Sequence, residues 1–122
     1  MNEEIKILYV DDEPINTKLF EISFRNKFSV ITAENGLQAL DVLDKNSDTK
    51  VVLSDMKMPV MNGFEFIVKA KEKHPDKKYF ILTGFEINDE IQKAMEDGLI
   101  VKYFRKPLSM KDIELSIKEV TE

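Results

Sequence analysis

The sequence predicts an α/β domain, with a parallel sheet covered by helices on both faces in a doubly wound arrangement. Three observations predict it. Short β-prone apolar runs alternate with stretches of helical spacing, five of each, and such alternation implies a parallel sheet joined by right-handed crossovers. The central run, Val51-Val52-Leu53, is apolar throughout, as a strand buried on both faces should be. The length of 122 residues fits one domain, so residues 1–122 are read as one unit.

Composition narrows the class. Apolar residues make up 43% of the chain, enough for a continuous core and too many for a disordered one. There is no Cys, which excludes disulfides and thiolate metal sites and suits a reducing compartment. No apolar run is long enough to span a membrane, and Met1-Asn2-Glu3-Glu4 is acidic, unlike a signal peptide. A cytoplasmic protein with no membrane partner is the expectation. The formal net charge is −5 and the Lys and Arg residues are scattered, so direct nucleic-acid binding is not expected.

The elements follow in order. Ile5 to Val10 reads as strand 1. Asp11-Asp12-Glu13-Pro14 then opens helix 1, with Pro14 in the first turn and Asp12 or Glu13 near the cap. Ile15, Leu19 and Ile22 recur at helical spacing. Phe28 to Ala33 is strand 2, and Asn35-Gly36 is a turn signal. Leu37, Leu40, Val42 and Leu43 mark helix 2, which Asn46-Ser47-Asp48 ends. Strand 3 is Val51 to Ser54, with Asp55 just past its end. Asn62 and Glu65 form an N-cap signature for helix 3, which carries Phe64, Ile67 and Ala70 inward and stops before Pro75.

Strand 4 is Tyr79 to Thr83. Helix 4 carries Ile87, Ile91, Ala94 and Met95 on one face, with Gly98 as C-terminal cap. Strand 5 is Leu99 to Phe104. Ser109 and Asp112 open helix 5, whose stripe is Met110, Ile113, Ile117 and Val120. Met56, Met58 and Met61 read as gap fillers in and under the loop after strand 3. His74 reads as a solvated residue at a helix C-terminus.

More than one doubly wound strand order fits the alternation. The flavodoxin-like (βα)5 order 2-1-3-4-5, a five-stranded parallel sheet, sets strands 1 and 3 side by side at the switch point, where ligands bind. Asp11, Asp12 and Asp55 would then meet. Crowded carboxylates repel, so one takes a proton or a cation joins them. With oxygen ligands and no Cys or His in these loops, Mg²⁺ fits best, with Mn²⁺ as its alternative. A carboxylate can also accept a phosphoryl group. Thr83 ends strand 4 with a hydroxyl and Lys106 follows strand 5 with an ammonium, the groups a phosphoryl oxygen needs for positioning and charge stabilisation.

Taken singly, each of these residues has an ordinary reading: Asp12 as a helix cap, Asp55 as a loop start, Thr83 as a strand residue, Lys106 as a surface charge, Tyr103 as packing. Their coincidence at one rim points elsewhere. Asp11-Asp12 after strand 1, Asp55 after strand 3 with Met58-Pro59 and Gly63 beyond, Thr83-Gly84 after strand 4 and Lys106-Pro107 after strand 5 resemble a response-regulator receiver domain of the single-domain, chemotaxis-regulator type. The match runs over essentially the whole chain.

The resemblance implies roles. Asp55 would accept a phosphoryl group from a phosphohistidine on a sensor histidine kinase or phosphotransfer protein. Asp12, Asp55 and the backbone carbonyl of Lys57 would hold Mg²⁺, with Asp11 acting largely through water. Thr83 and Lys106 would contact the phosphoryl oxygens, the peptide before Pro107 would be cis, and Tyr103 would be the aromatic switch. The helix 4–strand 5–helix 5 face would then change its binding to an output protein, in a monomer or a phosphorylation-dependent dimer. Such a domain is no turnover enzyme, although it catalyses its own phosphorylation and dephosphorylation. The alternative is a receiver domain cut from a hybrid histidine kinase or multidomain regulator.

Competing functions fit less well. A flavodoxin-like cofactor binder needs a Ser/Thr/Gly phosphate cradle where this chain has Asp11-Asp12-Glu13. A metal-dependent phosphatase would need a substrate cap, and no insertion is long enough for one. A degenerate scaffold would not need Asp11, Asp12, Asp55, Thr83 and Lys106 all in place. The family pattern also puts Lys57 and Phe85 beside the phosphoryl group. Neither offers a carboxylate or amide to orient an attacking water, so self-dephosphorylation is expected to be slow. Phe85→Glu should shorten the lifetime of the phosphorylated protein; faster decay in the wild type than in this variant would reject the idea.

Overall fold

The computed structural model describes residues 5–84 and 88–121. Phe85 and Ile87, which bear on the lifetime expectation and on the helix 4 stripe, lie outside them. The elements run β1 Lys6–Val10, α1 Pro14–Phe24, β2 Ser29–Ala33, α2 Gly36–Lys45, β3 Val51–Asp55, α3 Gly63–Lys73, β4 Lys78–Thr83, α4 Asp89–Glu96, β5 Lys102–Arg105 and α5 Met110–Thr121. All strands pair in parallel, in the order β2-β1-β3-β4-β5.

Side chains alternate across the sheet with a period of two, which splits the core into two layers. Leu8, Val10, Val52 and Ile81 pack with Leu43, Phe66, Ile67 and Ile91 from α2, α3 and α4. Ile7, Tyr9, Leu53, Phe80 and Leu82 pack with Phe20, Phe24, Ile113 and Ile117 from α1 and α5. Every residue of β3 is buried, the apolar Val51-Val52-Leu53 as a central strand requires and the polar Ser54 and Asp55 with them. Met58 and Met61 are buried and Met56 packs against the same cluster, so the methionines do fill space beneath the loop.

Caps explain the helix ends. The Asn62 side chain accepts from Glu65 N at 2.8 Å and Glu65 Oε1 accepts from Asn62 N at 3.0 Å, a complete capping box on α3. Asn35 is the N-cap of α2 and Gly36 its first residue, rather than a free turn. Ser109 Oγ accepts from Asp112 N at 3.2 Å and opens α5. At the end of α4, Gly98 has φ +76°, Leu99 N donates to Ala94 O at 2.8 Å and Gly98 N to Met95 O at 3.2 Å. These paired bonds close the helix in the manner that favours glycine just past its end.

Several expectations need correction. Ile15, Leu19 and Ile22 do not face the sheet; they are 73, 54 and 47% exposed, while Phe20 and Phe24 are buried. Apolar residues occur on more than one side of α1, and the aromatic ones win because Phe20 stacks on Tyr9 with ring centroids 4.1 Å apart. Leu37 is exposed on α2 for a similar reason, with Ala39 and Leu43 turned inward. β5 starts at Lys102 rather than Leu99, because Leu99 and Ile100 complete the α4 cap. His74 is not simply solvated: its side chain is 14% exposed and Nε2 lies 3.0 Å from Asp44 Oδ1. That hydrogen bond, with a second from Lys73, holds the Asp44 carboxyl below its ordinary range.

Close approach fixes the α3 start. A Cβ at Gly63 would overlap the backbone oxygen of Asp55 and lie 3.0 Å from Met56 Cα. At Gly36 the obstacle is the Met61 side chain, its Sδ 2.6 Å from the Cβ position, and a thioether can move. Gly63→Ala should therefore destabilise the domain by about 1–3 kcal/mol, and Gly36→Ala by less. Urea unfolding of both variants checks this; an unchanged midpoint for Gly63→Ala would contradict it.

Candidate functional site

Strand register decides what meets at the sheet's C-terminal rim. Val10 pairs with Ser54, Asp55 with Leu82 and Thr83 with Arg105. Backbone bonds continue just past the strands: Asp11 N to Ala33 O at 3.1 Å, Met56 N to Leu82 O at 2.8 Å and Lys106 N to Thr83 O at 2.8 Å. The rim residues are therefore positioned by the sheet itself rather than by free loops. Asp55 is the last residue of β3, not the first beyond it.

Asp11, Asp12 and Asp55 each offer a carboxylate oxygen, and these atoms lie within 4.8 Å of one another. Asp11 and Asp55 are buried and Asp12 is half-buried. Lys106 Nζ sits 3.1 Å from Asp55 Oδ1 and 3.9 Å from Asp11 Oδ2. The Lys106–Pro107 peptide is cis, as the resemblance implied. Burial pushes the Asp55 carboxyl up; Lys106 opposes this, while the Asp11 and Asp12 charges add to it.

A cavity of about 500 Å³ opens over this cluster. Asp12, Asp55, Lys57, Thr83 and Lys106 line it, and Asp11 lies beneath with no exposure to solvent. The donors are all hard oxygens, with acidic groups from the β1–α1 connection and the end of β3, which suits Mg²⁺ or Mn²⁺ and no soft metal. Tyr103 is elsewhere. It is half-buried on β5, packs against the α2–α3–α4 layer and lines a separate cleft of about 650 Å³ with Leu115 and Glu119 of α5.

The β3–α3 loop closes one side of the cavity. Met58 and Met61 anchor it from below. Between them Met61 N donates to Pro59 O at 2.7 Å across Val60, whose φ is +70°. That is a tight turn of a kind β-branched residues rarely make.

Two contacts escaped the sequence reading. The Tyr9 hydroxyl donates to Asp11 Oδ2 at 2.8 Å, and Glu13 N donates to Asp11 Oδ1 at 2.9 Å. Asp11 thus ties off the backbone at the α1 start, where Glu13, the N-cap residue, makes no side-chain cap bond. A signal for Tyr9 was available: it stands two residues before Asp11, so strand alternation puts both on one face.

The family model for the response regulator receiver domain matches residues 7–118. The chain is a response-regulator receiver domain. This receiver is 36% identical over 120 residues to the sporulation initiation phosphotransferase F of Bacillus subtilis, covering 98% of this chain and 94% of that one. It is 30% identical over 120 residues to a chemotaxis protein CheY homolog of Campylobacter jejuni, covering 95% and 92%. Its fold matches the crystal structure of a response regulator receiver domain protein from Clostridium thermocellum with a TM-score of 0.89, at 30% identity over 95% of this chain and 93% of that one.

The raised Asp55 carboxyl sets a pH dependence for this receiver. Its protonated form is favoured in the fold, so ionisation of Asp55 opposes folding. That penalty is full above the folded-state value, shrinks as pH falls through it, and is gone below the unfolded value. Asp55→Asn should therefore raise stability at pH ~7 in the presence of a chelator, with the gain fading towards pH ~4, near the ordinary carboxylate range. Urea midpoints at the two pH values test this, and an equal gain at both would contradict it.

Proposed function

We propose that residues 1–122 form one phosphoacceptor unit of a two-component phosphorelay, with Asp55 as the acceptor. The observation that carries this reading is the convergence of Asp11, Asp12 and Asp55 within 4.8 Å, with Lys106 bonded to Asp55 at 3.1 Å. In the transfer, an Asp55 carboxylate oxygen attacks the phosphorus of a phosphohistidine. The new O–P bond forms as the donor's P–N bond breaks, and the leaving imidazole keeps the electron pair and takes up a proton. Asp12, Asp55 and the Lys57 carbonyl are the proposed Mg²⁺ ligands, with Asp11 acting through water. The bound ion supplies the charge neutralisation that lets an anionic phosphoryl group approach.

Lys106 would stabilise the phosphoryl oxygens with its charge and Thr83 would donate its hydroxyl to one of them, a reading supported by both residues lining the cavity over Asp55. The state selected by that contact is transmitted through Thr83 and Tyr103 to the α4–β5–α5 face. Moving such a two-state element from 1:99 to 99:1 needs about 5.5 kcal/mol of differential interaction. The partners are a histidine kinase or phosphotransfer protein on the donor side and an output protein on the other. The name of the Bacillus subtilis relative, a phosphotransferase, is in keeping with a relay step.

The domain works as a switch rather than a turnover enzyme, as a monomer or a phosphorylation-dependent dimer, without binding nucleic acid directly. A cytoplasmic location without a membrane partner fits this role. Among the described residues no helix is long and apolar enough to cross a membrane.

Incubation with acetyl phosphate and Mg²⁺, followed by intact mass measurement, should add one phosphoryl group to the wild type. Little addition is expected without the ion, and none in Asp55→Asn. Lys106→Ala should lower the rate by about 10²–10³-fold, as for loss of a charge-stabilising donor. An unmodified wild type, or a modified Asp55→Asn, would reject the assignment.

A further inference from the structure

Lys106 has two buried carboxylates to choose from, and it chooses unequally. Its ammonium is within hydrogen-bond distance of Asp55 at 3.1 Å and outside it for Asp11 at 3.9 Å. Charge alone favours the opposite arrangement. Asp11 is the more buried of the two, and a less solvated anion attracts a cation more strongly.

The difference lies in what Asp11 already accepts. Its Oδ2 takes the Tyr9 hydroxyl at 2.8 Å and its Oδ1 takes the Glu13 amide at 2.9 Å. Hydrogen bonds to a charged acceptor are the strong ones, and the two together satisfy both oxygens. Tyr9 is held for the task. It is buried, its ring stacks on Phe20 at 4.1 Å, and β1 puts it on the same sheet face as Asp11.

We propose that Tyr9 is a positioning residue of the phosphoacceptor site: by donating to Asp11 Oδ2 it satisfies that carboxylate and leaves Lys106 to Asp55. Tyr9 touches neither the metal position nor the phosphoryl group and acts only through Asp11 and Lys106. The same two residues, Tyr9 and Lys106, also line a cleft of about 370 Å³ between α1 and the β5–α5 connection, bounded by Leu19, Pro107 and Met110. Tyr9 therefore stands between that cleft and the acidic cluster. The inference rests on the reading of Asp55 as phosphoacceptor, but its structural half can be tested without a phosphodonor.

Tyr9→Phe keeps the ring and removes the hydroxyl. A crystal structure of metal-free Tyr9→Phe should show Lys106 Nζ within hydrogen-bond distance of Asp11 Oδ2 and withdrawn from Asp55. Kinetics give the second arm. The phosphorylation rate from acetyl phosphate at saturating Mg²⁺ should fall about tenfold in Tyr9→Phe, the scale of losing a partner that orients a metal-site residue. In a Lys106→Ala background the same substitution should change the rate less than twofold, because the cation it directs is gone.

A merely packing role for Tyr9 would give the same loss in both backgrounds. That result, or Lys106 still bonded to Asp55 in the variant structure, would overturn the proposal. A wild type that is not phosphorylated at all would sink the phosphoacceptor reading instead, leaving the Lys106 position to judge Tyr9 separately.

Discussion

Three carboxylates held together at the rim of one sheet are the constraint on which the rest of this molecule depends. Left alone, Asp11, Asp12 and Asp55 would repel one another, and two of them are buried where water cannot soften the repulsion. The fold answers with donors drawn from several elements: an ammonium after β5, a phenol from β1 and a backbone amide from the α1 start. Even so, the Asp55 carboxyl stays above its ordinary range, burial outweighing Lys106. Such incomplete compensation is typical of functional sites rather than of groups placed for stability alone.

The parallel sheet makes this concentration of charge affordable. Its C-terminal rim gathers chain-distant residues at fixed spacing, because Asp55 and Thr83 close paired strands and Asp11 and Lys106 directly follow theirs. Below the rim the two apolar layers are continuous, and among the described residues no buried side-chain polar atom lacks a partner. The buried carboxylates Asp11 and Asp55 thus sit at one end of the sheet, while Thr49 and Lys77, the latter bonded to Ser47 O, lie at the other.

The loop from Asp55 to Gly63 is held on its inner side. Met58 and Met61 anchor it in the core, Gly63 N donates to Met56 O at 2.8 Å, and Gly63 lies too close to the Asp55 backbone for any side chain. Val60, 94% exposed and at positive φ, sits at the tip between those anchors. A non-glycine residue in the left-handed region costs about 1–2 kcal/mol. Here it is over-determined by buried neighbours on both sides, which is how such conformations persist beside functional sites.

The sequence by itself determined the element order, the capping of α3 by Asn62 and Glu65, the closing of α4 at Gly98, and the identity of the acidic, hydroxyl and ammonium groups at the rim. These are local signals: hydrophobic period, cap chemistry, and a polar residue at the end of an apolar run all act within a few residues of where they are read. The tertiary structure alone decided that α1 turns Phe20 and Phe24 inward and leaves Ile15, Leu19 and Ile22 in solvent, because a helix with several apolar sides takes its orientation from what it packs against. It also decided that β5 yields Leu99 and Ile100 to the α4 cap, that His74 meets Asp44 across two helices, and that Lys106 bonds Asp55 while Tyr9 holds Asp11. Each of those outcomes is a choice between partners far apart in the chain, and only distances in the folded molecule can rank them.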